Sequence, residues 1–123
     1  MRSTYLIAIV AFLLTIGSPK VPAQDGPVSP REISETWVGK ELTGTTASGA
    51  RAALKLEQDG RASVSAGNAT DTGTWRASET GYCTTWRTIR AGQERCFTVF
   101  RDGGRLKVLN PDGSLSGYFD PVK

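Results

Sequence analysis

Histidine is absent from this chain of 123 residues, and its absence excludes more chemistry than any other feature. Without imidazole there is no Ser-His or Cys-His nucleophile pair and no imidazole general base. The commonest zinc ligand is missing as well. Cysteine is scarce: Cys83 and Cys96 are the only two, and their spacing is not Cys-x-x-Cys. A redox dithiol motif or a thiolate-rich metal centre is therefore not expected, and no cofactor is implied. No Gly-x-Gly-x-x-Gly run opens a helix, and there is no phosphate loop. No stretch keeps helical periodicity over three turns, which argues against a helical bundle. Long apolar runs are also missing. Tyr5–Ile16 is uninterrupted for 12 residues, against the roughly 20 that a membrane-spanning helix needs.

That short run has another meaning. Arg2 precedes it, Gly17, Ser18, Pro19 and Lys20 end it, and Val21-Pro22-Ala23 follows with a small-residue exit. Together these make a secretory signal, with cleavage expected after Ala23. Residues 1–23 are then a signal peptide, 24–34 an arm, and 35–123 the folded domain. The expected home is outside the cytosol, periplasmic or secreted, with no transmembrane anchor left after cleavage.

Cleavage changes the charge argument. Arg2 and Lys20 leave with the signal, so thirteen basic residues face twelve acidic ones in the remainder. A strongly basic domain is the usual mark of nucleic-acid binding, and here it disappears, so no nucleic-acid partner is expected. The remaining 100 residues suffice for one domain. In an oxidising compartment its two cysteines are expected to pair.

Residues 24–34 carry two prolines and read as a flexible or extended leader, with Ser29-Pro30-Arg31-Glu32 suited to cap one helical turn. From Trp37 onward the pattern is short apolar alternation broken by glycine-containing turns. It predicts strands at 37–43, 51–56, 62–66, 72–77, 82–88, 96–101, 105–109 and 115–119. Asp-Gly recurs at 59–60, 102–103 and 112–113, and this dipeptide suits tight reversals. The expected fold is all-β: one small antiparallel barrel or sandwich of about eight strands, a lipocalin-like meander with one disulfide. If Cys83 and Cys96 lie directly opposite one another, Tyr82 faces Phe97, Thr85 faces Glu94, and the turn falls near Ile89-Arg90.

Three functional readings compete. Residues 76–107 hold Arg76, Arg87, Arg90, Arg95, Arg101, Arg105 and Lys107 against three acids, while residues 24–75 are net acidic. Trp86, Arg87, Arg90, Arg95 and Arg101 are thus a candidate surface for an acidic protein, a polysaccharide or a lipid head group at the cell envelope. The plain alternative is that the arginines keep a soluble sheet from pairing at its edges. A second reading is a protease inhibitor acting through the arm at 24–34. A third is a hydrolase with paired carboxylates such as Glu57 and Asp59, although turn chemistry accounts for most of the acids and an enzyme is not the expectation. The aromatics Trp37, Trp75, Tyr82, Trp86 and Tyr118 either fill the core or line a ligand cup.

The run Thr72-Gly-Thr-Trp75, then Tyr82-Cys-Thr-Thr-Trp86, then Cys96-Phe97 and a closing strand resembles a group of small secreted proteobacterial β domains. Their shared pattern is Gly-x-Trp, Cys-x-x-Trp and Cys-Phe, and the likeness covers about residues 36–120. It implies a bacterial periplasmic or secreted home and no particular activity. A weaker likeness, in size, export, single disulfide and N-terminal arm, is to the periplasmic β-barrel inhibitors of bacterial metalloproteases, whose disulfide links different strands.

Overall fold

The structure is a computed structural model that describes residues 26–122. The signal segment 1–23, the cleavage position after Ala23, Gln24, Asp25 and Lys123 lie outside the described residues.

Eight strands run in chain order around a closed antiparallel barrel: β1 (Glu41–Thr46), β2 (Arg51–Leu56), β3 (Arg61–Ala66), β4 (Ala69–Ala77), β5 (Gly81–Trp86), β6 (Arg95–Asp102), β7 (Arg105–Leu109) and β8 (Leu115–Phe119). Each strand pairs with the next, and β1 returns to β8 through Gly44↔Phe119, Thr45↔Tyr118 and Thr46↔Gly117. Closure settles the barrel over the sandwich, and it pairs every strand on both sides over at least part of its length. The seam depends on two glycines. A methyl on Gly44 would overlap the Tyr118 carbonyl oxygen, and one on Gly117 would overlap that of Thr45. Only hydrogen at these positions lets the two strands approach while the sheet coils.

Alternation selects the interior. Leu54 pairs with Val64, Leu56 with Ala62, Tyr82 with Phe97, and Val99 with Val108, all turned inward. The disulfide Cys83–Cys96 joins directly opposed residues of β5 and β6, as the expected register required. Being one residue out of phase with Tyr82 and Phe97, it lies on the outer face, where Arg76 and Glu94 pair at 2.8 Å and Arg76 Nη2 reaches 3.9 Å from Cys96 Sγ.

The N-terminal part departs from the expected leader. Gly26–Val28 is extended and docked. Val28 N–H donates to the Val99 carbonyl and Arg101 N–H to that of Gly26, both at 2.8 Å. The reason lies in β6: its ladder to β5 stops at Thr98, so residues 99–101 present an unpaired edge that this segment takes up. A helix, α1 (Pro30–Thr36), follows. Ser29 caps it, its hydroxyl oxygen accepting the Glu32 N–H at 3.0 Å, and Pro30 occupies a first-turn position where no N–H is needed. Val28, Ile33 and Trp37 are buried. Trp37 is the helix C-cap and not the first residue of a strand, so β1 starts four residues later than the alternation suggests. Its indole packs edge-on against Tyr82 (5.5 Å between centroids) and Phe119 (5.9 Å). The helix thus stoppers one end of the barrel. Among the described residues no helix is long and apolar enough to cross a membrane.

Candidate functional site

The two ends of the barrel interior are filled differently, and residue size decides how. At the stoppered end the inward positions are Leu42, Leu56, Val99 and Leu106, with Ile33 and Trp37 laid across them. At the other end the inward positions of β1, β2, β3 and β8 are Thr46, Ala52, Ala66 and Gly117. These short side chains do not meet across the lumen. They leave a cavity of about 190 Å³ whose walls include Ala52, Val64, Ala66, Tyr82, Trp86 and Phe97. Larger hollows of about 700, 630 and 530 Å³ lie elsewhere, the first between β1 and the C-terminal residues 120–122 and the others along β2–β4 and β1–β2, and their linings mix polar and apolar residues. The lumen, by contrast, is walled by core aromatics and reached by a half-buried charged group.

That group is Arg90. The connection between β5 and β6, residues 87–94, turns over the end of the barrel. Arg90 and Ala91 lie in the left-handed region (φ 59° and 54°), followed by Gly92 at 77°. Two consecutive non-glycine residues there store strain of about 1 to 3 kcal/mol each, which persists only where the surroundings enforce it. Asp71 supplies the enforcement. Its Oδ2 accepts N–H bonds from Thr88 (2.8 Å) and Ile89 (2.9 Å) and the Thr88 hydroxyl (3.0 Å), while Oδ1 accepts the Thr72 N–H at 2.8 Å. The Ile89 and Thr88 backbone donors hold this carboxyl far below the usual aspartate range. Asp71 sits opposite Val64 and so turns to the lumen side of β4 at the rim.

So aimed, the Arg90 side chain enters the barrel. Its Nη2 donates to the Thr84 carbonyl oxygen and to Thr84 Oγ1, each at 3.1 Å, and the guanidinium lies 5.7 Å from the Phe97 ring centroid. Thr84 is itself buried (2 % exposed). Arg90 Nε is buried without a hydrogen-bond partner, and it is the sole such side-chain atom among the described residues. None of the ion pairs among the described residues involves Arg90. Burial, reinforced by the nearby Arg95 charge, pushes its pKa below the ordinary arginine value, and burial pushes the Tyr82 phenol well above its own.

The other residues singled out from the sequence separate. Trp86 is inside, 5 % exposed, and lines the cavity. Arg87 is exposed on the outside. Arg95 stands at the rim, its Nη1 3.5 Å from Asn110 Oδ1. Arg101 is at the opposite, stoppered end, paired with Glu32 of α1. The five therefore do not form one outward basic face: alternation divides β5 and β6 between two faces, and the length of β6 separates Arg95 from Arg101. Asp59 bonds Arg61 within the β2–β3 turn (2.8 Å), and Glu57 gives its carbonyl to the Trp75 indole N–H at 2.7 Å. Both lie at the stoppered end, away from the cavity. Cys83, Glu94 and Cys96 group metal-ligating atom types within 4.8 Å, but the sulfurs are bonded to each other and Glu94 to Arg76.

Thr84, Ile89 and Asp71 were missed from sequence. A carboxylate at an inward strand position, Asp71 one step out of phase with Thr70 and Thr72, was the available signal. No protein-family profile, curated protein or solved structure matches this chain.

Proposed function

We propose that the chain is an exported binding protein whose site is the half-filled lumen of the barrel, and that it holds a small ligand without transforming it. The supporting observation is the cavity of about 190 Å³ beside a strained loop that directs one polar group inward. Apolar walls with a few convergent polar groups are the usual make-up of a small-molecule site. Export fits the signal-like N-terminus and the disulfide, since thiols pair outside the cytosol.

An outward basic surface for an acidic envelope partner draws less support, because Arg90 turns inward and Arg101 is engaged by Glu32. An inhibitor acting through the arm at 24–34 requires a free arm, whereas residues 26–34 are seated on the barrel. Titration of the mature chain with benzyl alcohol, an uncharged probe of one ring, tests the reading by NMR. Shifts confined to residues that line the lumen, such as Trp86, Phe97, Tyr82 and Ala66, are expected. Shifts elsewhere, or none, would reject the lumen as the site.

A further inference from the structure

We infer that the lumen takes a small monocarboxylate, an anionic head on an apolar body about the size of one ring, with the Arg90 guanidinium as its anchor. The inference rests on the lumen being the binding site.

The head group follows from what Arg90 lacks. A guanidinium carries five N–H donors. Here Nη2 is committed to Thr84, while Nε is buried with no partner. A buried donor left without a partner is unfavourable unless something completes it. The protein's own acids near the rim are already occupied. Asp71 holds the loop, Glu94 pairs with Arg76, and Asp112 accepts from Ser114 at 2.6 and 2.9 Å. Arg95 adds a second positive charge close enough to disfavour the first. An incoming anion relieves both defects, and a carboxylate matches guanidinium geometry with short, charge-assisted bonds. A single unpartnered arginine suits one negative charge better than the two of a phosphate monoester, which calls for several converging donors.

The body follows from the walls. Tyr82, Trp86 and Phe97 supply aromatic surface, with Ala52 and Ala66 opposite. A dry cavity of about 150 Å³ is known to hold a benzene ring, so about 190 Å³ takes a ring with a one-carbon substituent. The strain at Arg90 and Ala91 gains a purpose in this account. Asp71 fastens the loop so that the guanidinium waits in place, and binding need not order it.

Calorimetry on the folded mature chain with benzoate, benzyl alcohol and benzylamine tests this directly. Benzoate is expected to bind at least about tenfold tighter than benzyl alcohol, as one charge-assisted interaction allows, and benzylamine weakest. Arg90→Gln should erase the benzoate preference and keep benzyl alcohol binding, whereas Arg87→Gln should change neither. Should Arg90→Gln fail to fold, Arg90→Lys keeps a positive charge without Nε and should still weaken benzoate more than benzyl alcohol. Benzyl alcohol binding with no preference for benzoate overturns the carboxylate and leaves the lumen reading standing. Failure of every probe overturns both.

Discussion

Filling the cavity should make the protein more stable and leave it unable to bind. Ala66 lies at the inner end of β3, opposite Ala52 on one side and Ala69 on the other. It borders the cavity and has only small cross-strand neighbours to displace. Ala66→Leu adds three carbons to space that is otherwise vacant. At about 0.8 kcal/mol for each buried CH₂, full burial contributes up to about 2 kcal/mol. For a domain near 100 residues that raises Tm by roughly 8 to 16 °C. The same side chain occupies the room proposed for the ligand body, so benzyl alcohol and benzoate should both stop binding. Circular dichroism melting and the probe titration on one sample read the two effects together. A lower Tm would mean that the site is already packed, since overfilling a tight core is destabilising. Unchanged probe binding would mean that the ligand sits elsewhere. Either result refutes the reasoning.

Other consequences follow from the same geometry. Removing the disulfide with Cys83→Ser and Cys96→Ser should lower unfolding free energy by about 3 kcal/mol on the chain-entropy account, seen in urea as a lower midpoint; an unchanged midpoint would show that the barrel alone holds the hairpin. Trp37→Ala should cost about 3 to 5 kcal/mol, because a buried aromatic leaves a hole at the stoppered end; a loss below 1 kcal/mol would show that the helix is not part of the core. Asp71 is more acidic when folded, so its contribution is fully present above the unfolded aspartate value of about 3.9 and is lost as pH falls below it. Asp71→Asn should therefore weaken benzoate binding at neutral pH and flatten the acid limb of the stability curve below about pH 4, measured by melting from pH 7 to pH 2.

The eight strands were readable because each carries its own period-two signal and its own punctuation. Asp59-Gly60, Asp102-Gly103 and Asp112-Gly113 mark three of the reversals, and Ala52, Leu54 and Leu56 mark a face. Even the β5–β6 register was legible, since opposing the two cysteines leaves one pairing for Tyr82. The first strand was misplaced because Trp37 belongs to both patterns. It can start an alternation, yet with Val28 and Ile33 it forms the apolar side of a capped helical turn. The arm read as flexible because its prolines resemble those of a linker. One of them is a helix start, and the unpaired edge of β6 that anchors Gly26–Val28 exists only once the barrel has closed. The candidate site was half legible. Arg90 was singled out only as part of an outer surface, whereas Trp86 was placed both there and among the aromatics that fill the core or line a cup. The inward turn of Arg90 comes from left-handed backbone at two ordinary residues, held by a carboxylate 19 positions earlier, and local propensity does not encode that tie.

The most direct test of the account observes the Arg90 Nε–H itself. In proton–nitrogen NMR spectra of residues 24–123, adding benzoate should shift that resonance downfield together with the Trp86 indole, and leave Arg87 where it was. Benzoate that moves Arg87 and the outer faces of β2–β4 while Arg90 stays still would contradict it.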